Sequence, residues 1–126
     1  MPHVKPVLTF LCAAMFWLPA PVNAETFLYM AEEHGCAWCA RWDEEISEAY
    51  PKTAEGKAAP LVRFDLHGKA PENVTFTQRV RFTPTFILVE NGMEVARIEG
   101  YPGEDFFWGL LSMMLKDAGV ELETTG

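Results

Sequence analysis

Cys36 and Cys39, separated by Ala37 and Trp38, put two thiols within one turn of any helix that carries them. Disulfide exchange needs a thiolate that attacks and a second thiol close enough to expel the mixed disulfide, and this spacing supplies both. If a strand ends and a helix begins at Cys36, the unpaired backbone N–H groups and the helix dipole favour its thiolate, bringing the pKa below the roughly 8.5 of a free cysteine. Cys36 is then the expected nucleophile. Cys39, one turn inside, is the expected resolving thiol.

Other uses of the pair are weaker. A disulfide closing about four residues contributes only about 2 kcal/mol of loop entropy, against about 3 kcal/mol for a 15-residue loop, so this is a poor staple. Zinc needs two further ligands, and beyond the first residues only His34 and His67 are on offer, without a second cysteine pair. Covalent haem needs a histidine after the second cysteine, where Ala40 stands. No metal and no bound cofactor is expected, since a redox-active Cys36–Cys39 disulfide is its own redox centre.

The elements around the pair read clearly. Thr26 to Met30 is short, aromatic and β-branched, as a buried strand is, and the cysteines follow it. From Cys39 the apolar positions Trp42, Ile46, Ala49 and Tyr50 alternate with acids, which predicts an amphipathic helix ending before Pro51. Leu61 to Leu66 predicts a second strand, His67 to Asn73 a loop, and Phe76 to Val80 a short helical piece. Thr85 to Val89 and Met93 to Ile98 predict two strands joined at Glu90-Asn91-Gly92, since Asn-Gly suits the positive φ angles of a tight hairpin. Glu104 and Asp105 suit a helix N-terminus. Phe106, Phe107, Leu110, Leu111, Met114 and Leu115 then form its apolar face, Trp108 lies on the core or helix surface, and Gly119 is the stop. The fold class is α/β, a mixed four-stranded sheet flanked by helices.

At 126 residues the chain has room for one domain. Ten Lys and Arg against 18 Asp and Glu give a net charge of -8, which disfavours nucleic acid and anionic lipid as partners. Lys5, the apolar run Val7 to Leu18 and the small-residue site Val22-Asn23-Ala24 read as a signal peptide over residues 1–24, cleaved after Ala24. Cys12, behind bulky Phe10 and Leu11, does not suit lipidation. Cleavage takes Lys5 and no acid, so the mature charge is about -9, and two cysteines remain in a compartment that permits disulfides. Residues 25–120 form the expected domain and 121–126 a frayed tail.

The run Gln78-Arg-Val-Arg-Phe-Thr-Pro-Thr-Phe-Ile-Leu-Val-Glu-Asn-Gly92, following the Cys-x-x-Cys motif, resembles the thioredoxin superfamily over nearly all of the mature sequence. The resemblance implies a cis Thr83–Pro84 bond against the cysteine pair, with Thr83 backbone groups binding an incoming peptide in a strand-like way. By composition alone, Pro84 also fits a plain strand-start proline. Two departures stand out: Met30 occupies the place of the family's buried acid, where Glu32 or Glu33 either substitutes for it or is a solvated surface acid, and Ala37-Trp38 replaces Gly-Pro. Trp38 is either a hydrophobic contact for partners or a rim aromatic packed on its own domain. His34 is either an imidazolium stabilising the thiolate or a solvated loop residue. His34 and Ala37 are the candidate modulating residues.

The stretches Gly35 to Trp42, Tyr50 to Thr53 and Glu99 to Gly109 are similar to the small periplasmic thioredoxins encoded with bacterial sulfur-oxidation (Sox) systems. This implies a monomeric periplasmic dithiol reductase of oxidised protein thiols, keeping a sulfur-carrier protein active and recharged by an upstream membrane thiol-electron donor. A reductant for apocytochrome c thiols, a disulfide-forming oxidase and a non-catalytic binding module of the same fold are the alternatives.

Overall fold

The computed structural model describes residues 2–6, 13–19 and 25–123. The expected cleavage site at Val22-Asn23-Ala24, Cys12 and residues 124–126 of the expected tail lie outside them. Among the described residues no helix is long and apolar enough to cross a membrane.

Four strands build one mixed sheet: β1 (Thr26–Glu32), β2 (Leu61–Asp65), β3 (Thr85–Glu90) and β4 (Met93–Glu99), in the order β2-β1-β3-β4. β1 runs parallel to β2 and antiparallel to β3, and β3 runs antiparallel to β4. Every residue from Thr85 to Val89 is buried, as a central strand covered on both faces requires. The β3–β4 turn is the Asn-Gly hairpin, with positive φ at Asn91 (50°) and Gly92 (80°).

Side chains alternate between two cores. Leu28, Met30, Phe86 and Leu88 point to one face, where they meet Trp42, Ile46, Tyr50 and residues Phe107, Leu111 and Leu115 of α3 (Glu104–Asp117). Phe86 and Phe107 pack edge to face at 4.9 Å, and Trp42 contacts both, at 5.3 and 5.8 Å between centroids. Ala31, Val80, Ile87 and Val89 form the second core, which Tyr29, Phe64, Leu66, Val74 and Phe76 join.

The segment after Cys36 departs from one regular amphipathic helix. α1 (Ala37–Trp42) widens into a π-helical stretch at Asp43–Ser47, and Tyr50–Lys52 forms a 3₁₀ turn. Trp42, Ile46 and Tyr50 are all buried while Ala49 is exposed. A spacing of four exceeds the 3.6 residues of an α turn, so a straight α-helix would rotate these side chains by about 40° at each step. The wider turn keeps all three over the sheet.

A further short helix, α2 (Ala54–Ala58), was not anticipated from sequence; Thr53 caps it by accepting from Gly56 N–H at 3.0 Å. Gly56 is required there, since a Cβ would lie 1.8 Å from the Tyr50 carbonyl oxygen. On α3 the buried stripe is narrower than expected: Phe107, Leu111 and Leu115 are buried, whereas Phe106 and Leu110 are exposed.

The expected helical piece at Phe76 to Val80 is not helical. Polar side chains of β4 hold this stretch to the sheet instead. Thr75 bridges Met93, Glu94 accepts from the Thr77 N–H at 3.0 Å and from its hydroxyl, and Arg97 donates to the Gln78 carbonyl at 2.9 Å. Glu94 and Arg97 also pair with each other, both nearly buried. Those contacts take the backbone groups that a helix would use internally.

Truncating Glu94 to Ala leaves the nearly buried Arg97 with only the looser Glu99, at 3.9 Å, as a carboxylate partner and releases Thr77. Urea unfolding should show a loss of about 3 kcal/mol or more. A loss below about 0.5 kcal/mol, the range of an ordinary surface change, would contradict this role.

Candidate functional site

Cys36 closes the connection from β1 and caps α1, in extended backbone with φ -77° and ψ 102°. It is joined to Cys39 by a disulfide with 5.2 Å between Cα atoms. Gly35, with φ 77°, makes the turn that aims Cys36 at the helix. The Cys39 backbone N–H points at Cys36 Sγ, 3.1 Å away, so a helix-terminal donor without an intrahelical partner is directed at the outer sulfur. The two sulfurs are unequal. Cys36 is half-buried, whereas Cys39 is 6% exposed and belongs to the core that holds Trp42 and Phe107.

Ala37 and Trp38 face outward, Trp38 with 53% of its surface exposed. Trp38 is backed by a polar chain along the helix. The Arg41 guanidinium lies 5.5 Å from its ring centroid, Arg41 Nε pairs with Glu45 Oε1 at 2.6 Å, and the Tyr101 hydroxyl donates to Glu45 Oε2 at 2.6 Å. The Tyr101 and Arg41 hydrogen bonds hold the Glu45 carboxyl below its usual range. Burial first, and the Glu45 carboxylate second, push the Tyr101 phenol above its ordinary value. Arg41, Glu45 and Tyr101 were missed by sequence reasoning. The i, i+3 and i, i+4 spacings of Trp38, Arg41 and Glu45 were the available signal.

A second polar group adjoins the cavity that the pair lines. Arg63, from β2, bonds Glu32 at 2.7 Å, pairs with Asp43 of the π-helical stretch, and lies 5.6 Å from the Trp42 ring centroid. Burial opposes the Arg63 charge, but the two carboxylates outweigh it and its pKa is raised. Met30, fully buried, presents its sulfur to the same guanidinium at 3.7 Å. The thioether thus occupies the position of the family's buried acid, and the nearby charge is a clamped arginine.

Glu32 and Glu33 are not free surface acids, as the sequence suggested. Glu32 is held by Arg63, and Glu33 accepts the Thr83 hydroxyl at 2.8 Å. That bond joins the loop before Cys36 to the residue before Pro84 across 50 positions of sequence. The Thr83–Pro84 peptide is cis; Pro84 is buried and Thr83 half-buried. His34 is exposed and lines, with Glu32, Glu33, Cys36, Cys39 and Asp43, a cavity of about 430 Å³ beside the disulfide. His67 lies 3.6 Å from Glu33 and is also exposed. Among the described residues no group of three or more His, Cys, Asp or Glu side chains is arranged to hold a metal ion.

The chain is similar to known proteins. Residues 19–114 match the family described as Thioredoxin-like domain. The crystal structure of the periplasmic thioredoxin SoxS from Paracoccus pantotrophus, in its reduced form, is 47% identical, superposes with a TM-score of 0.73, and is matched over 75% of this chain and 99% of that one. Thioredoxin-2, a component of the protein secretion machinery of the malaria parasite, shares the fold alone at 19% identity, with a TM-score of 0.54 over 75% of this chain and 88% of its own. No curated protein sequence matches the chain. With a disulfide between Cys36 and Cys39 at the start of a helix on this sheet, the chain belongs to the thioredoxin-like family and is a thiol-disulfide oxidoreductase.

Proposed function

We propose that this protein is a periplasmic dithiol reductase of oxidised protein cysteines, exported with residues 1–24 removed and acting on a sulfur-carrier protein. The observation that carries the reading is the inequality of the sulfurs, one half-buried at the rim and capping α1, the other within the core. The periplasmic and sulfur-oxidation parts are supported by the leader-like start of the sequence and by the similarity to a periplasmic SoxS.

The reaction runs in two exchanges. The Cys36 thiolate attacks one sulfur of a substrate disulfide, forming a Cys36–substrate disulfide and expelling the other substrate sulfur as a thiolate. Cys39, as its thiolate, then attacks Cys36, and the second substrate sulfur leaves. Two electrons pass from the protein dithiol to the substrate, two protons complete the substrate thiols, and Cys36–Cys39 becomes the disulfide. A thiol-electron donor at the membrane restores the dithiol, and no bound cofactor takes part. The Cys39 N–H stabilises charge on Cys36 during attack and departure. Thr83 offers backbone groups to the substrate chain, Trp38 offers an apolar face beside Cys36, and His34 and Ala37 modulate the approach.

Expressed in the native host, Cys39→Ser should stop the second exchange and retain the substrate on Cys36, as a complex seen on non-reducing gels. A captured sulfur-carrier protein is the expected outcome; a captured apocytochrome would redirect the assignment. Cys36→Ser should capture nothing comparable. Equal capture by both variants would contradict the roles.

Arg41 and Trp38 give a separate test. Arg41→Ala removes the group over the Trp38 ring, and should raise KM for a protein disulfide such as insulin about two- to fivefold, consistent with loss of a contact of about 0.5–1 kcal/mol. The rate with a small aromatic disulfide should be unchanged. An equal loss on both substrates would mean that Arg41 acts on the sulfurs and not on the docking face.

A further inference from the structure

Three carboxylates line the cavity beside the disulfide, and they are not equivalent. Glu32 and Asp43 share the Arg63 guanidinium. Glu33 pairs with no Lys or Arg among the described residues; its partners are the Thr83 hydroxyl at 2.8 Å and the exposed His67 imidazole at 3.6 Å. The exposed His34 is the other titratable group on the cavity wall, apart from the cysteines. Glu33 thus sets a carboxylate without a Lys or Arg partner, among the described residues, on the wall of the cavity that Cys36 lines.

Building on Cys36 as the attacking thiol, we infer that Glu33 is a positioning residue that sets the redox potential of the Cys36–Cys39 pair by its charge, held beside the cavity by its bond to Thr83. A thiolate is disfavoured beside an uncompensated carboxylate. The Thr83 hydroxyl donates to the Glu33 carboxylate and holds it in place. The charge acts against the thiolate and so against the dithiol form. It makes the protein a stronger reductant, and the Glu33–Thr83 bond also ties the residue before Pro84 to the loop before Cys36.

The test equilibrates the mature protein with glutathione, where the protein disulfide and two reduced glutathione molecules give the dithiol and one oxidised glutathione. The mixture is read by thiol alkylation and mass. Glu33→Gln, which keeps an acceptor and loses the charge, should move the constant toward the dithiol by about threefold. Glu33→Ala, which removes the charge and the acceptor together, should move it the same way by a similar factor. Thr83→Val, which leaves the charge in place, should change it by less than about twofold. Thiolate absorbance should titrate at lower pH in both Glu33 variants. An unchanged constant in Glu33→Gln and Glu33→Ala, a shift toward the disulfide in either, or a change in Thr83→Val as large as that in Glu33→Gln would overturn the inference. The constant is defined whichever way electrons run in the cell, and a wrong choice of attacking thiol shows in the trapping experiment, so the two failures are separable.

Discussion

The packing of Trp42 onto the sheet is the contact on which the site depends. Its ring meets Phe86 of β3 and Phe107 of α3, and it lies three residues after Cys39 on the same helical segment. Burying an aromatic of this size stabilises by several kcal/mol, more than the intrinsic preference of six residues for a helix can supply. That contact fixes the rotation of α1. With the rotation fixed, Cys39 turns into the core, Cys36 stays at the rim, and Ala37 and Trp38 face outward. The widened turn at Asp43–Ser47 belongs to the same constraint, since it lets Ile46 and Tyr50 follow Trp42 into one core.

Around this anchor the charges are sorted by what they hold. Arg63 ties β1, β2 and the π-helical stretch together through Glu32 and Asp43, with its planar face against Trp42. Arg41, Glu45 and Tyr101 brace the outer face under Trp38. Arg97 and Glu94 hold residues 75–78 to β4. Each set contains an arginine and a carboxylate that bridge separate stretches of chain. An acidic chain thus places three of its five arginines, Arg41, Arg63 and Arg97, where separate stretches meet.

Much of this was legible in the sequence. The four strands, the hairpin and the last helix follow from short aromatic and β-branched runs, Asn-Gly chemistry and an apolar repeat, because each depends on residues near one another in sequence. The motif that carries the chemistry was visible for the same reason. What failed were features that depend on distant partners: Phe76 to Val80 looks locally helical, but its polar groups are claimed by Glu94 and Arg97, and Glu33 looks like a surface acid until Thr83 arrives from 50 residues away. The exposed Phe106 and Leu110 failed for a related reason. Periodicity marks which residues are apolar, while the width of the buried stripe is decided by what packs against it.

The central claim is that the two thiols of the reduced protein differ in access, Cys36 outside and Cys39 inside. The most direct measurement is competitive alkylation of the reduced protein with a limiting amount of iodoacetamide at neutral pH, followed by peptide mapping. The account predicts label on Cys36 with Cys39 protected until the protein is unfolded. Equal labelling of both cysteines in the folded protein, or label on Cys39 first, would contradict it.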